Sequence, residues 1–452
     1  MKTLVYGFRE SGVAAARALV ERGEEVVVAD SGDSGRLRKL AFELGVEGRL
    51  GGISPEVLEE GFDRVVVSPG VRPRDAVLAV AEGKGIPVLS EVALGLELLG
   101  PEVRVAAVTG TNGKTTVVDM LRGILAASHV PYTVAGNSWR ALTSCLEEVQ
   151  EAGLLVLELS SFQLHYLPEP GFDVAVLLNV RPDHLNWHAS YEEYVADKLR
   201  IFDGQGPEDL ALTSAADPVS WDSVGTLVAE TLVVGEGETL VEGGRILLRG
   251  RPLAEAGELP FAGPHNHENA LFAAAAAERL GVELKGIREG LLGYRVKPHR
   301  MQVVARRGGV TYVDDSKATN PAAVAAALAS FEEPVVLILG GSEKETDFAE
   351  LLPLLGRCRS IVCQGEAGPR IFEFLEERGV GVNVFLAADL ASAVEKARRF
   401  AHPGDVVLLS PGCASFDQYT GYAERGTAFA GFVAAEETNG HRAQPDRGAV
   451  GR

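Results

Sequence analysis

The segment Gly110-Thr111-Asn112-Gly113-Lys114-Thr115-Thr116 constrains this chain more than any other. It lies between an apolar run, Val103–Val108, that reads as a strand and a stretch that reads as a helix. In that setting backbone N–H groups and a helix N-terminus face an anion. Lys114 can reach the β- and γ-phosphates of a nucleotide, and the Thr115 hydroxyl can hold Mg²⁺. Glycines let the backbone approach the ligand closely. The widespread GxxxxGK[ST] spacing would place its first glycine at Val108, so this is a shortened variant. The alternative is a strand-to-helix turn with a surface lysine; the flanking strand and helix favour the phosphate cradle.

The same alternation runs along the whole chain. Leu4–Tyr6, Val26–Ala29, Arg64–Val67 and Pro87–Leu89 read as strands, with an Ala-rich helix running to about Arg22. This βαβ series predicts a parallel sheet. A second series holds the phosphate loop and the strands Leu154–Leu159 and Val174–Asn179. Residues 225–260 read as small hairpins with Gly-Glu-Gly and Gly-Gly turns. A third series opens near His299, with strands at about 310–314, 335–339, 360–363, 382–386 and 406–409. At roughly 150 residues per domain, the 452 residues suggest about three domains. The expected fold is α/β: a Rossmann-like domain over 1–95, a central P-loop-type domain over 96–298, and a Rossmann-like doubly wound domain over 299–435. Residues 436–452 are polar, with Gly and Pro, and read as a disordered tail.

Acids outnumber bases 63 to 43, a formal net charge of −20. That disfavours nucleic acid or an anionic membrane as the main partner. Cys145, Cys358, Cys363 and Cys413 are scattered without a CxxC pair, so reduced thiols are expected rather than a zinc cluster or a disulfide framework. No apolar window reaches the length of a membrane span, and the N-terminus lacks a signal peptide's apolar run. A cytoplasmic monomer is expected.

A phosphate-bound Mg²⁺ needs oxygen ligands. Glu158 ends one predicted strand and Asp183-His184 follows the next. In a parallel sheet the carboxyl ends of strands line the ligand crevice. Each has a plainer reading, Glu158 as a solvated loop charge and His184 as a loop histidine with no task. Lys198 sits in the helical run Tyr191–Phe202 and, taken alone, reads as an ordinary solvated lysine.

Several runs together resemble the Mur ligases of peptidoglycan synthesis. They are Thr109–Thr116, Glu158–Leu164, Asn179–Leu185, Gly263–Asn266, Pro298–Arg300, Asp314–Pro321 and Leu409–Gln418. The likeness spans all but the tail. Within the family it is most similar to the members that add D-glutamate to UDP-N-acetylmuramoyl-L-alanine, through Asp315–Asn320 and Cys413–Gln418. The resemblance implies an ATP-dependent amide ligase working through an acyl phosphate, with ATP, two Mg²⁺ and small-molecule substrates.

It also implies roles. Gly110, Thr111, Asn112, Gly113, Lys114, Thr115 and Thr116 would cradle ATP. Thr115 and Glu158 would hold one Mg²⁺, and His184 the second. Lys198 would carry a CO₂-derived carbamate, which turns a cation into a carboxylate-like metal ligand. Asn266 and Asn269 would meet adenine, whose edge needs a donor and an acceptor. Arg300, Asp315 and Lys317 would serve the phosphates and ribose. Thr319, Lys344, Ser415 and Tyr422 would hold the two carboxylates of D-glutamate. Asn137, Ser160 and Gln163 would orient the muramoyl-alanine end. Ser11, Gly12, Asp30, Ser31, Ser68, Pro69 and Gly70 would take UDP, although turn chemistry alone explains such residues too.

The chain departs from the family pattern in places. Arg9 fills the middle glycine of a G-x-G-x-x-G fingerprint, which impedes a dinucleotide's pyrophosphate. Ser138-Trp139 stands where small or aliphatic residues are usual, Ser31-Gly32 lacks an arginine often found near uracil, and Tyr422 replaces a phenylalanine. Arg9 and the loop at Lys114 speak against an NAD-dependent oxidoreductase. Residues 1–95 speak against a folylpolyglutamate synthase, which lacks a separate UDP-binding domain. A purely regulatory nucleotide-binding module would leave Glu158, His184 and the Asp-Ser-Lys run idle.

Overall fold

The computed structural model describes residues 1–184, 187–261, 263–343 and 347–435. Lys344 and the expected tail at 436–452 lie outside the described residues. The chain divides into two compact units, Met1–Ala262 with Asn266–Tyr294, and Gly263–His265 with Arg295–Arg452.

The first unit opens with five parallel strands: β1 Lys2–Tyr6, β2 Glu25–Asp30, β3 Glu47–Leu50, β4 Arg64–Val67 and β5 Val88–Ser90. Their order is β3-β2-β1-β4-β5. The order reverses between β1 and β4, so a crevice for a ligand opens at their carboxyl ends. The strands β1, β2 and β4 are apolar on both faces because helices cover both sides of a parallel sheet.

A second sheet follows: β6 Arg104–Thr109, β7 Thr133–Gly136, β8 Leu154–Glu158, β9 Val174–Leu177, β10 Leu210–Ser214 and β11 Glu230–Val234. Its order is β11-β10-β9-β6-β8-β7, and each pairing is parallel. Placing β6 between β8 and β9 puts the loop after β6 between the ends of the other two. The core behind it combines Val108, Val117, Leu121, Val156 and Val176 with the Ala-rich face Ala273–Ala277.

The reading of 225–260 as hairpins is corrected in part. Glu230–Val234 pairs parallel with β10 and closes the edge of the central sheet. β10 is buried along its whole length and needs a partner on that side. Only β12 Leu240–Glu242, β13 Arg245–Leu248 and β14 Arg251–Glu255 form an antiparallel sheet.

The second unit holds β15 Gln302–Arg307, β16 Val310–Asp314, β17 Val335–Gly340, β18 Cys358–Gln364, β19 Asn383–Leu386 and β20 Val406–Leu409, in the order β15-β16-β20-β17-β18-β19. β15 is antiparallel to β16 and the rest run parallel. Adjacent β16 and β20 deliver Asp315 and Ser410 side by side. Among the described residues no helix is long and apolar enough to cross a membrane.

Candidate active site

The phosphate loop links β6 to the helix Lys114–Ala127, whose N-cap is Gly113 with φ 89°. Asn179, just past β9, holds the loop in shape. Its Oδ1 accepts from Asn112 N at 2.9 Å, its Nδ2 donates to Asn112 O at 3.2 Å, and its own carbonyl accepts from Thr111 N at 2.8 Å. Thr111 Oγ1 also lies 2.8 Å from the Tyr194 hydroxyl and accepts from Arg181 N at 2.9 Å. These bonds pre-form the cradle, so little ordering remains for a nucleotide to impose. Asn179 and Tyr194 were given no role from sequence; a polar residue directly after a strand of the crevice was the available signal for Asn179.

Lys114 Nζ donates to Gly110 O at 2.6 Å and Thr111 O at 2.9 Å, folding back over its own loop. Asn269 is buried and packs against this loop: a Cβ on Gly113 would lie 2.7 Å from Asn269 Oδ1. Asn266 lies in the same helix, one turn earlier and half-buried.

Glu158 is fully buried at the end of β8. Three consecutive residues donate to it: Asn137 Nδ2 at 2.9 Å, Ser138 Oγ at 2.7 Å and Trp139 Nε1 at 3.0 Å. Thr115 Oγ1 approaches Ser138 Oγ at 3.4 Å, so the structure brings Thr115, Glu158 and Asn137 into one neighbourhood. Ser160 and Gln163 bond to each other instead, as the capping box of the helix Ser161–His165.

The reading of Lys198 as a solvated side chain is overturned: it is 1% exposed. Tyr194 and Lys198 stand one turn apart on the buried face of the helix Tyr191–Leu199, so both enter the sheet edge. Lys198 Nζ donates to Gly110 O at 2.9 Å and lies 4.8 Å from the centre of the Tyr194 ring. Burial, and then the charge of Lys114, hold its pKa well below the usual lysine range. His184 is exposed and sits at φ 57°, a backbone region sparsely used by residues other than glycine. Its ring meets Phe162 at 4.8 Å between centroids, and Asp183 Oδ2 lies 3.7 Å from Nε2.

At the crevice of the first sheet, Ser68 Oγ donates to Gly7 O at 2.6 Å and lies 3.2 Å from Ser11 Oγ. Asp30 accepts from the backbone N–H of Phe8 and of Gly32, both at 2.8 Å, and so ties two loops together. Gly12 is buried, and a Cβ there would stand 2.0 Å from Gly7 O. Ser31 and Gly70 are exposed and Pro69 is half-buried at the same edge. Arg9, Asp30 and Arg36 line a cavity of about 1260 Å³ that continues along the helix Glu10–Glu21 to Arg140 and Glu148.

In the second unit Asp315 Oδ2 accepts from Ser410 Oγ at 2.9 Å and Oδ1 from Met301 N at 3.2 Å. Burial pushes the Asp315 carboxyl up to about 7. Lys317 Nζ lies 4.2 Å from the centre of the exposed Tyr422 ring, and its N–H donates to His299 O at 3.1 Å. Arg300 and Thr319 are half-buried and Ser415 is buried. Arg425, missed in the sequence, is buried and donates to Ser316 Oγ, Ser316 O and Ala414 O at 2.8–3.1 Å. It braces the two loops that carry Lys317 and Ser415.

Three family descriptions match the chain: "Mur ligase MurD-like, N-terminal domain" over 1–90, "Mur ligase middle domain" over 108–277, and "Mur ligase, glutamate ligase domain" over 299–413. The UDP-N-acetylmuramoylalanine–D-glutamate ligase of Rubrobacter xylanophilus is 70% identical over 430 residues, 95% of this chain and 97% of that one. Its counterpart in Desulfitobacterium hafniense is 37% identical over 95% of this chain and 96% of its own. Among solved structures, MurF from Acinetobacter baumannii superposes with a TM-score of 0.60 at 20% identity, covering 90% of both chains. A pseudomurein peptide ligase type C from Methanothermus fervidus gives 0.59 at 18% identity, covering 91% of this chain and 97% of that one. These two likenesses are of fold.

Proposed function

The chain belongs to the Mur ligase family, and from that premise we propose how its residues join D-glutamate to UDP-N-acetylmuramoyl-L-alanine at the expense of ATP. The observation that carries the reading is the phosphate loop flanked by a buried carboxylate and a buried lysine.

The substrate carboxylate attacks the γ-phosphorus of ATP, forming an acyl phosphate and releasing ADP. The amine of D-glutamate then adds to the acyl carbon, and the tetrahedral intermediate expels phosphate while the nitrogen loses a proton. Lys114 exchanges its bonds to Gly110 O and Thr111 O for phosphate oxygens and stabilises charge developing on them. The loop N–H groups from Gly110 to Thr116 hold the remaining oxygens.

The donor set around the loop suits a hard cation: a hydroxyl at Thr115 and a carboxylate at Glu158, with His184 and Lys198 for a second. Mg²⁺ bound there supplies charge neutralisation at the phosphoryl oxygens. Lys198 would serve as the carbamate formed when its amine adds to CO₂ and loses a proton. Asn266 and Asn269 read adenine. Arg300, Asp315 and Lys317 are assigned to the nucleotide, and Thr319, Lys344, Ser415 and Tyr422 to D-glutamate. Ser11, Gly12, Asp30, Ser31, Ser68, Pro69 and Gly70 are assigned to UDP, and Asn137, Ser160 and Gln163 to the muramoyl-alanine end. Domains over 1–95, 96–298 and 299–435, a cytoplasmic location and a monomeric state belong to the same reading.

The test is phosphate release with ATP, Mg²⁺, UDP-N-acetylmuramoyl-L-alanine and D-glutamate, leaving out one component at a time. Release that requires both substrates and rejects L-glutamate is expected. Release with a different amino acid alone would overturn the substrate assignment.

A further inference from the structure

The turn after β7 brings three side chains in a row onto one carboxylate, and it treats the two oxygens of Glu158 differently. Oε1 accepts from Asn137 Nδ2 and Ser138 Oγ; Oε2 accepts from Trp139 Nε1. Gly136 makes the turn possible. It adopts φ 103°, and a Cβ there would lie 2.2 Å from Glu158 O. The turn is closed by Trp139 N donating to Gly136 O at 2.9 Å and Gly136 N to Arg140 O at 3.0 Å.

Oε1 looks toward the phosphate loop, because Ser138 Oγ is also reached by Thr115 Oγ1 at 3.4 Å. A hydroxyl can turn its hydrogen away and offer a lone pair to a cation. An indole N–H can only donate. The Asn137 amide on Oε1 likewise only donates, so the one partner of Glu158 that can turn its hydrogen away and share a cation is the Ser138 hydroxyl, which sits on Oε1. The indole is fixed in turn: its ring packs partly buried against the central core, with the Arg122 guanidinium 5.9 Å from its centre and Arg122 paired to Asp119 at 2.8 Å.

We propose that Trp139 is a positioning residue of the cation site, tying Oε2 of Glu158 so that Oε1, beside Ser138 and Thr115, is the oxygen presented to Mg²⁺. The inference rests on Glu158 being a metal ligand. Partners that orient a ligand in this way change metal affinity by about 10–100-fold. Trp139 stands where the family pattern differs, so this chain's cation site has its own support.

The test is Mn²⁺ binding to the full-length protein with ADP, read from the paramagnetic resonance of free Mn²⁺. Wild type, Glu158→Gln, Trp139→Phe and Trp221→Phe are compared, with folding checked by circular dichroism. Weaker binding by about 10-fold or more is expected for Trp139→Phe, and unchanged binding for Trp221→Phe. If Glu158→Gln binds like wild type, the ligand reading falls and the proposal with it. If Glu158→Gln weakens binding and Trp139→Phe does not, the positioning proposal alone falls. Should Trp139→Phe fail to fold, the ¹⁵N indole spectrum decides, since the chain has three tryptophans. Glu158→Gln replaces a charged acceptor by a neutral one, so one indole N–H resonance must move upfield. No movement overturns the proposal.

Discussion

Lys114 and Lys198 donate to the same acceptor, the carbonyl oxygen of Gly110, at 2.6 and 2.9 Å. Two ammonium groups on one carbonyl repel, and the buried one gives way. Burial first and Lys114 second lower the Lys198 pKa, so the lysine reaches its neutral form at lower pH than a solvated one. The neutral amine is the form that adds CO₂. With ¹³C-bicarbonate, a carbamate resonance is expected in wild type and absent in Lys198→Ala, with phosphate release falling about 10²-fold or more. Acidification protonates the amine and must erase the signal. Lys114→Ala removes the repulsion, raises the Lys198 pKa, and moves that loss to higher pH. A wild-type spectrum without the resonance at any CO₂ level would sink the idea.

Asn179 shapes the phosphate loop through both ends of its amide. Asn179→Ala leaves the N–H and carbonyl of Asn112 without these partners, at a cost of about 1–3 kcal/mol when the groups are shielded from water. Nucleotide affinity is expected to fall about 10-fold or more, with a smaller effect on the affinity for the UDP substrate. Asn179→Asp keeps the acceptor and loses the donor, and should fall between. Calorimetric titration with ADP measures all three; equal affinities would show the loop holds its shape without Asn179.

Gly12 tests the crevice of the first sheet. A methyl group there would collide with Gly7 O, which in turn accepts from Ser68 Oγ. Gly12→Ala must push the helix Glu10–Glu21 away from β1 and separate Ser11 from Ser68. Affinity for the UDP substrate is expected to drop at least tenfold, and affinity for ADP to stay within about twofold. A loss of ADP binding instead would place the effect of Gly12 outside the UDP crevice.

The strands around the phosphate loop were legible because their apolar runs stop at polar residues that line the crevice. Glu158 was found that way. The burial of Lys198 was not legible from spacing, because a helix shows its period but not which face meets the sheet; only the family resemblance pointed inward. Strand β11 was misread because its residues are half-buried and its turn is Gly-Glu-Gly, both ordinary for a hairpin. β7 and β10 went unread, although β10 is buried along its whole length. The indole of Trp139 could be marked as a departure, yet no sequence pattern says that it reaches a carboxylate 19 positions later.

Asp315 gives the second unit a pH-dependent stability. Burial raises its folded pKa to about 7, above the ordinary carboxylate value that holds in the unfolded chain. The folded state therefore binds a proton that the unfolded state has released. Its contribution is fully present below about pH 4 and is lost as pH rises through about 7. Linkage over that span amounts to about 4 kcal/mol. Asp315→Asn keeps an oxygen for the Ser410 hydroxyl and has no proton to lose. The variant is expected to be more stable than wild type at pH 8 and to match it at about pH 4. Denaturant unfolding at the two pH values checks this. A variant less stable at pH 8 would mean that the ionised carboxylate is stabilised in the fold by its neighbours, Arg300 among them.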